Sequence, residues 1–286
     1  EVRLCGRIAF LNKGKVCGVG EPDDILNQFK DVFCPEPLSH SDEVKHSAAD
    51  DVIVVDGLCK TFGTFHAVDH ISFCVHRGEI FGFLGANGAG KTTAMRMLTG
   101  LSQPSGGKAT VGGYDVSTEY EQIKKHIGYM SQKFSLYEDL KVWENIRLFA
   151  GIYGMDDKEI ALKTNSLLSR LGMSEHKNTI VRDLPLGWKQ KLAFSVSIFH
   201  KPDVVFLDEP TGGVDPSTRK EFWTLIYEAA SEGITVFVTT HYMDEAEYCD
   251  RISIMVDGQI KALGTPSQLK SQFAVNDMDS VFTMLA

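Results

Sequence analysis

The nine residues Gly85-Ala86-Asn87-Gly88-Ala89-Gly90-Lys91-Thr92-Thr93 restrict the fold of this chain more than any other feature, because they satisfy GxxxxGK[ST]. The apolar run before them, Ile80-Phe81-Gly82-Phe83-Leu84, predicts a buried strand. A helical apolar run at 94–98 follows and stops at Gly100, a natural C-terminal glycine. Phosphate chemistry needs this order. Glycines let backbone N–H groups curl around phosphate oxygens, and a helix N-terminus adds partial positive charge. Lys91 can then reach β- and γ-phosphates, and the Thr92 hydroxyl can ligate Mg²⁺.

A second element answers the first. Val204-Val205-Phe206-Leu207-Asp208-Glu209-Pro210 reads as a buried parallel strand that delivers Asp208 at its C-terminal end. Ligands sit at that edge in open α/β sheets. Asp208 is placed to hold Mg²⁺, directly or through water, and Glu209 to polarise a water attacking the γ-phosphate.

Composition narrows the partners. With 29 Lys and Arg against 38 Asp and Glu, the net charge of −9 opposes broad nucleic-acid binding, whose affinity comes from neutralising phosphates. No apolar run approaches the ~18 residues of a membrane span, and no charged-then-apolar leader is visible. The six cysteines (Cys5, Cys17, Cys34, Cys59, Cys74, Cys249) make no CxxC and no metal-ligand spacing, so free thiols in a reducing cytosol are expected. The chain opens on Glu1 rather than Met and is read as a piece of a longer one.

An internal repeat bears on what precedes it. Shifted by 244 positions, residues 1–25 place Glu1 on Glu245, Cys5 on Cys249, Arg7 on Arg251, Ile8 on Ile252, Gly14 on Gly258, Gly20 on Gly264 and Pro22 on Pro266. The later copy predicts a strand at 252–256, a turn at Asp257-Gly258, a returning strand at 259–263, and a helix capped by Thr265 with Pro266 at its first position and Gln268 closing a capping box. Residues 1–30 are therefore expected to be the closing hairpin and helix of a preceding homologous domain. Residues 31–51, rich in Pro, Ser and acids without an apolar period, read as a linker, leaving one complete domain over 52–286.

Together these residues resemble the nucleotide-binding domain of an ABC transporter across 50–286. The resemblance implies a switch histidine at His241, after Thr239-Thr240. It also implies a D-loop at Gly213-Val214-Asp215-Pro216, a core-linking glutamine at Gln132 and an adenine-stacking aromatic at Phe62. The wording His241-Tyr242-Met243-Asp244-Glu245-Ala246-Glu247, and the closing Met278-Asp279-Ser280-Val281-Phe282, is similar to the type-2, drug-export-like branch, where tandem ATPase domains occur. A GTPase reading is weaker, since no NKxD element occurs. One departure stands out. Where the family has LSGGQ, this chain has Leu184-Pro185-Leu186-Gly187-Trp188-Lys189-Gln190. Gly187 and the following amphipathic run agree, but Pro185 replaces the serine whose hydroxyl would reach ATP held by the opposite domain, and it has neither hydroxyl nor N–H.

The resemblance implies an α/β P-loop NTPase fold with an ABC ATPase core: a mainly parallel sheet, an antiparallel β subdomain near 52–84 and a helical subdomain at about 133–190. Trp143, Ile146, Leu148 and Phe149, then Leu162, Leu167, Leu168 and Leu171, recur there at helical spacing and read mostly as core. Phe134, Leu136 and Tyr137 are a candidate exposed docking patch. The expected activity is ATP hydrolysis powering a membrane exporter. Phe62 stacks the base, Gly85 to Thr93 hold phosphates, and Thr92, Gln132 and Asp208 organise Mg²⁺. Glu209, His241, Lys91 and Gln132 act catalytically, while Gly187 and Asp215 complete a nucleotide site with a second ATPase domain. The partners implied are that domain and a membrane permease at the cytoplasmic face of the cell membrane, with no nucleic acid. The alternatives are a soluble twin-ATPase protein acting on ribosomes or nucleic acid, and a regulatory half that binds ATP without hydrolysing it. A long basic linker and an intact LSGGQ would mark the first, and the intact Glu209 and His241 oppose the second.

Overall fold

Fully buried strands still alternate sides, and here the alternation puts every phenylalanine of the three central strands on one side. In the computed structural model, which describes residues 6–12, 15–29, 51–132 and 136–286, three central strands are β5 (Ile80–Gly85), β9 (Val204–Asp208) and β10 (Thr235–Thr240). Ile80, Leu84, Val205, Leu207, Val236 and Val238 join one core, and Phe81, Phe83, Phe206 and Phe237 the other. Phe237 sits among the rings, 5.3 Å from Phe83 and 5.3 Å from Phe206 by centroid, within the range of favourable offset contacts.

These strands belong to a six-stranded sheet in the order β12 (Gln259–Gly264), β11 (Arg251–Val256), β5, β10, β9, β8 (Ile127–Met130), parallel except for the β11–β12 hairpin. The mainly parallel sheet agrees with the sequence. A second, antiparallel sheet runs β4 (Phe65–His76), β3 (Asp51–Phe62), β6 (Gly106–Val111), β7 (Tyr114–Asp115). Its boundary differs from the expected 52–84: the segment at 80–85 lies in the parallel sheet, and 106–115 joins the antiparallel one. The all-buried pattern of β5 explains this, since only a strand covered on both faces carries six buried residues in a row.

Beyond α3 (Tyr120–His126) and β8, the expected helical subdomain at about 133–190 holds α4 (Val142–Ile152), α5 (Asp157–Arg170), two 3-10 turns and the start of the helix Leu186–Ser197. Asn145, fully buried, binds the backbone of Tyr137 in both directions, at 2.8 and 3.0 Å, and so fixes the segment entering this subdomain. Ile146, Leu167 and Leu168 are core, but Leu162 is 76% exposed and Leu148 37% exposed. Spacing alone assigned them to the core, because a helix shows more than one apolar stripe when Leu occupies its outer face. Leu136 is buried and so cannot be part of a docking patch, Tyr137 is 57% exposed, and Phe134 lies outside the described residues. Cys17, Cys59, Cys74 and Cys249 are free thiols, and Cys5 and Cys34 lie outside the described residues.

The 244-residue shift extends to the backbone. Strand β1 (Ile8–Asn12), strand β2 (Lys15–Gly20) and helix α1 (Pro22–Gln28) form a hairpin and helix. Under the shift, β2 and α1 coincide with the bounds of β12 and of α8 (Pro266–Gln272). Every β1–β2 pair, from Ile8↔Gly20 to Asn12↔Lys15, maps onto a β11–β12 pair, and both hairpins bulge at the same place, after Phe10 and after Ile254. The expected linker lies outside the described residues, apart from its last residue, Asp51, which opens β3.

Where the helical subdomain meets the core, His200 stacks on Tyr153 with ring centres 3.4 Å apart and planes 5° from parallel. Burial, opposed only by the Ile127 carbonyl, pushes its imidazole down from 6.5 to about 4. The folded state therefore prefers the neutral ring. Its stabilising effect is complete above pH 6.5 and disappears as pH falls to about 4. In thermal melts across that window, His200→Phe is expected to lose less stability with acid than the parent.

Candidate functional site

The loop between β5 and helix α2 (Lys91–Leu98) owes its shape to two close approaches. At Gly85 (φ +155) a Cβ would stand 2.4 Å from the Met255 carbonyl oxygen, and at Gly90 (φ +105) 2.2 Å from that of Ala67. Only glycine fits both demands. The tip, Ala86, Asn87 and Gly88, is exposed, whereas Ala89 is buried and accepts the Gly258 N–H at 3.1 Å. Thr92 and Thr93 occupy the first turn of α2. Lys91 is 5% exposed, and its Nζ donates to the carbonyls of Gly85 (2.7 Å) and Ala86 (3.0 Å).

Parallel register brings the acidic strand end to this loop. Asp208 pairs with Thr239 across β9 and β10. The Thr239 hydroxyl donates to Asp208 Oδ1 at 2.8 Å, and the Thr92 hydroxyl reaches the same oxygen at 3.5 Å. Burial raises the Asp208 carboxyl above its usual range, against the pull of Thr239 and Lys91. Burial likewise lowers Lys91, with Glu209 and Asp208 acting the other way. Two carboxylates facing one lysine leave the cluster short of positive charge.

Glu209 is the hub. Its backbone is left-handed (φ +47), a strained setting for a non-glycine residue. Its N–H is held by both the Thr239 carbonyl and hydroxyl at 3.1 Å. Around its carboxylate stand Gln132 Nε2 at 2.8 Å, His241 Nδ1 at 3.2 Å and Lys91 Nζ at 4.0 Å. The His241 contact is close but misaligned, so it is not a hydrogen bond.

The expected residues thus divide into groups. Lys91, Thr92, Asp208, Glu209, Gln132 and His241 converge. Gln132 does so on Glu209 rather than beside Thr92 and Asp208, the pair with which it was expected to hold metal. Gly187 and Asp215 form a separate cluster. A Cβ at Gly187 would stand 2.4 Å from Thr218 Cγ2, and Asp215 caps α7 (Pro216–Ser231) through the Thr218 N–H and hydroxyl. Burial would raise the Asp215 carboxyl, but the Thr218 bonds carry it below the usual carboxylate range. Pro185 caps helix α6 (Leu186–Ser197) with its carbonyl, so the helix begins inside the signature stretch. Gln190 donates to the Gly212 carbonyl at 3.2 Å, joining this cluster to the segment after Glu209. Phe62 lies at the β3–β4 hairpin end, 56% exposed, on the sheet whose Ala67 abuts Gly90.

Two residues escaped the sequence reading. Thr239 holds both Asp208 and the Glu209 backbone, and its signal was a hydroxyl at the end of an apolar strand. Phe65, 62% exposed, pairs directly with Phe62, and its signal was an aromatic on each side of the Gly63-Thr64 turn.

Comparison with known proteins identifies the family and the fold. The family model described as ABC transporter matches residues 68–212. The chain is 48% identical over 231 residues to the Escherichia coli K12 "Probable multidrug ABC transporter ATP-binding protein YbhF", covering 81% of this chain and 40% of that protein. It is 35% identical over 257 residues to the human "Phospholipid-transporting ATPase ABCA3", covering 88% of this chain and 15% of that one. A solved structure, "Structure of ATP binding subunit of ABC transporter", superposes with a TM-score of 0.74 at 26% identity, covering 82% of this chain and 99% of that one. The chain thus spans well under half the length of the curated relatives.

Proposed function

Because this chain belongs to the ABC transporter family, we propose that it is the ATP-binding and ATP-hydrolysing domain of an ABC-type membrane exporter. The observation that carries this reading is the convergence of Gln132, His241 and Lys91 on the Glu209 carboxylate, beside the glycine-rich loop.

In that role the loop's N–H groups and Lys91 bind the phosphates, and Phe62, with Phe65 beside it, stacks the base. Glu209 accepts the proton of the attacking water, while Gln132 and His241 fix the direction of its carboxylate. The donors at Thr92 and Asp208 are a hydroxyl and a carboxylate, hard oxygens that suit Mg²⁺ and not a soft metal. Bound there, the ion would supply the positive charge that two carboxylates and one lysine lack, and would neutralise phosphate oxygens. Gln132 becomes a third ligand if its amide turns from Glu209.

The proposed partners are a permease domain and a second ATPase domain. The duplicated hairpin and helix, equal in register and bulge and in the bounds of the second strand and the helix, support a tandem arrangement in which residues 1–30 close the preceding domain. Gly187 and Asp215 would then face the nucleotide of that second domain. Among the described residues no helix is long and apolar enough to cross a membrane. The proposed place is the cytoplasmic face of the membrane, where the permease would hold the domain.

Separation of membranes from cytosol, using the full-length parent protein, tests the export reading. Recovery in membranes with a many-helix segment or partner is the expected result. Recovery in the cytosol with ribosomes or nucleic acid would replace export with the soluble twin-ATPase alternative and leave the ATP chemistry intact.

A further inference from the structure

Two charged groups outside the site, one buried and one partly buried, join its separate parts. Glu245 is 0% exposed, and a buried carboxylate is costly unless it is bonded. The Thr211 hydroxyl donates to its Oε1. Thr211 lies two residues after Glu209, and Glu245 four residues after His241, in the 3-10 turn Met243–Tyr248. Both members of the Glu209–His241 pair are therefore tied to one carboxylate.

Arg219, on α7, faces the same turn. Its guanidinium stands 4.6 Å from the Tyr242 ring centre, and that ring lies 4.1 Å from the His241 imidazole. Asp244 holds it at 3.1 Å. Yet Arg219 Nε stops 3.6 Å from Glu245 Oε1, and neither that nitrogen nor Glu245 Oε2 has a hydrogen-bond partner. A cation and an anion left facing each other just beyond bonding distance form a half-made contact. Travel of about 0.7 Å would complete it, since charge-assisted bonds settle near 2.9 Å. The helix that would travel also carries Thr218, against which Gly187 packs, and is capped by Asp215.

We infer that Arg219 and Glu245 are positioning residues. A shift of α7 toward the 243–248 turn closes the Arg219–Glu245 contact and, through Tyr242, sets the His241 imidazole against Glu209. The geometric part stands on these contacts alone, and its effect on rate rests on the ATPase reading above.

Arg219→Gln, Glu245→Gln and the double variant of the full chain test it, with two readouts. In MgATP hydrolysis each single change is expected to lower kcat about tenfold, equivalent to ~1.4 kcal/mol, with KM within about twofold, and the double variant should be no slower than the worse single one. In NMR of the histidine rings, the His241 resonance, identified by its loss in His241→Asn, is expected to move in all three variants while those of the other eight histidines hold. Multiplying losses in the double variant, a raised KM at unchanged kcat, or an unmoved His241 resonance would each overturn the inference. A parent without ATPase activity would remove the proposed function, and the resonance would still decide the positioning. If Glu245→Gln does not fold, Arg219→Gln, at a side chain 19% exposed, supplies both readouts.

Discussion

Glu209→Gln is expected to bind ATP within about twofold of the parent and to hydrolyse it roughly 10²–10⁴ times more slowly, the range for loss of a positioned general base. The two side chains are the same size, so the left-handed backbone at Glu209 and its N–H bonds to Thr239 are unaffected. An amide oxygen can still accept from Gln132. What disappears is the proton acceptor, together with the negative charge 4.0 Å from Lys91. Equilibrium binding of labelled ATP and single-turnover hydrolysis separate the two effects. Parent-like hydrolysis would end the role assigned to Glu209.

Gly90→Ala is the second large effect, and it reaches nucleotide through the backbone. Its Cβ would meet the Ala67 carbonyl oxygen at 2.2 Å and Met255 Cε at 2.8 Å, at a φ of +105. The methionine can swing aside, but the carbonyl cannot. Neighbouring backbone is fixed by Asp69 N–H to Gly258 (2.8 Å) and Gly258 N–H to Ala89 (3.1 Å). Left-handed strain and overpacking each cost about 1–3 kcal/mol, so a stability loss of about 2–6 kcal/mol is expected, with ATP binding abolished. Gly88→Ala is the control. It shares the positive φ (+85), but its Cβ meets nothing within 4 Å, so it should keep most of the stability. Denaturation midpoints and ATP titration distinguish the two. Equal behaviour would show that the close approach to β4 does not govern the loop.

Much of the site was legible because its parts are local. The glycine-rich loop, the strand ending in Asp208 and Glu209, and the capping box at Thr265 each state their geometry within a few residues. The hairpin turn at Asp257-Gly258 was equally plain, because it uses residues that accept positive φ. Burial is not legible where it depends on a neighbour distant in sequence. Leu162 and Leu136 both look apolar in the chain, yet one is 76% and the other 8% exposed. Nothing local tells a helix which face another element will cover.

Fold class, the glycine-rich loop, the acidic strand end and the duplicated hairpin are all legible in short stretches of sequence, since glycine placement, apolar runs and turn residues act over short spans. That Glu209 is the hub follows from packing across the sheet. Gln132, 77 residues before it, and His241, 32 after, meet its carboxylate because parallel strands bring their C-terminal ends to one edge of the sheet. The same holds for Thr239 under Asp208 and for Arg219 facing Glu245. Side-chain contacts of a few ångströms between distant segments follow from strand register and helix packing, which no short stretch of sequence encodes.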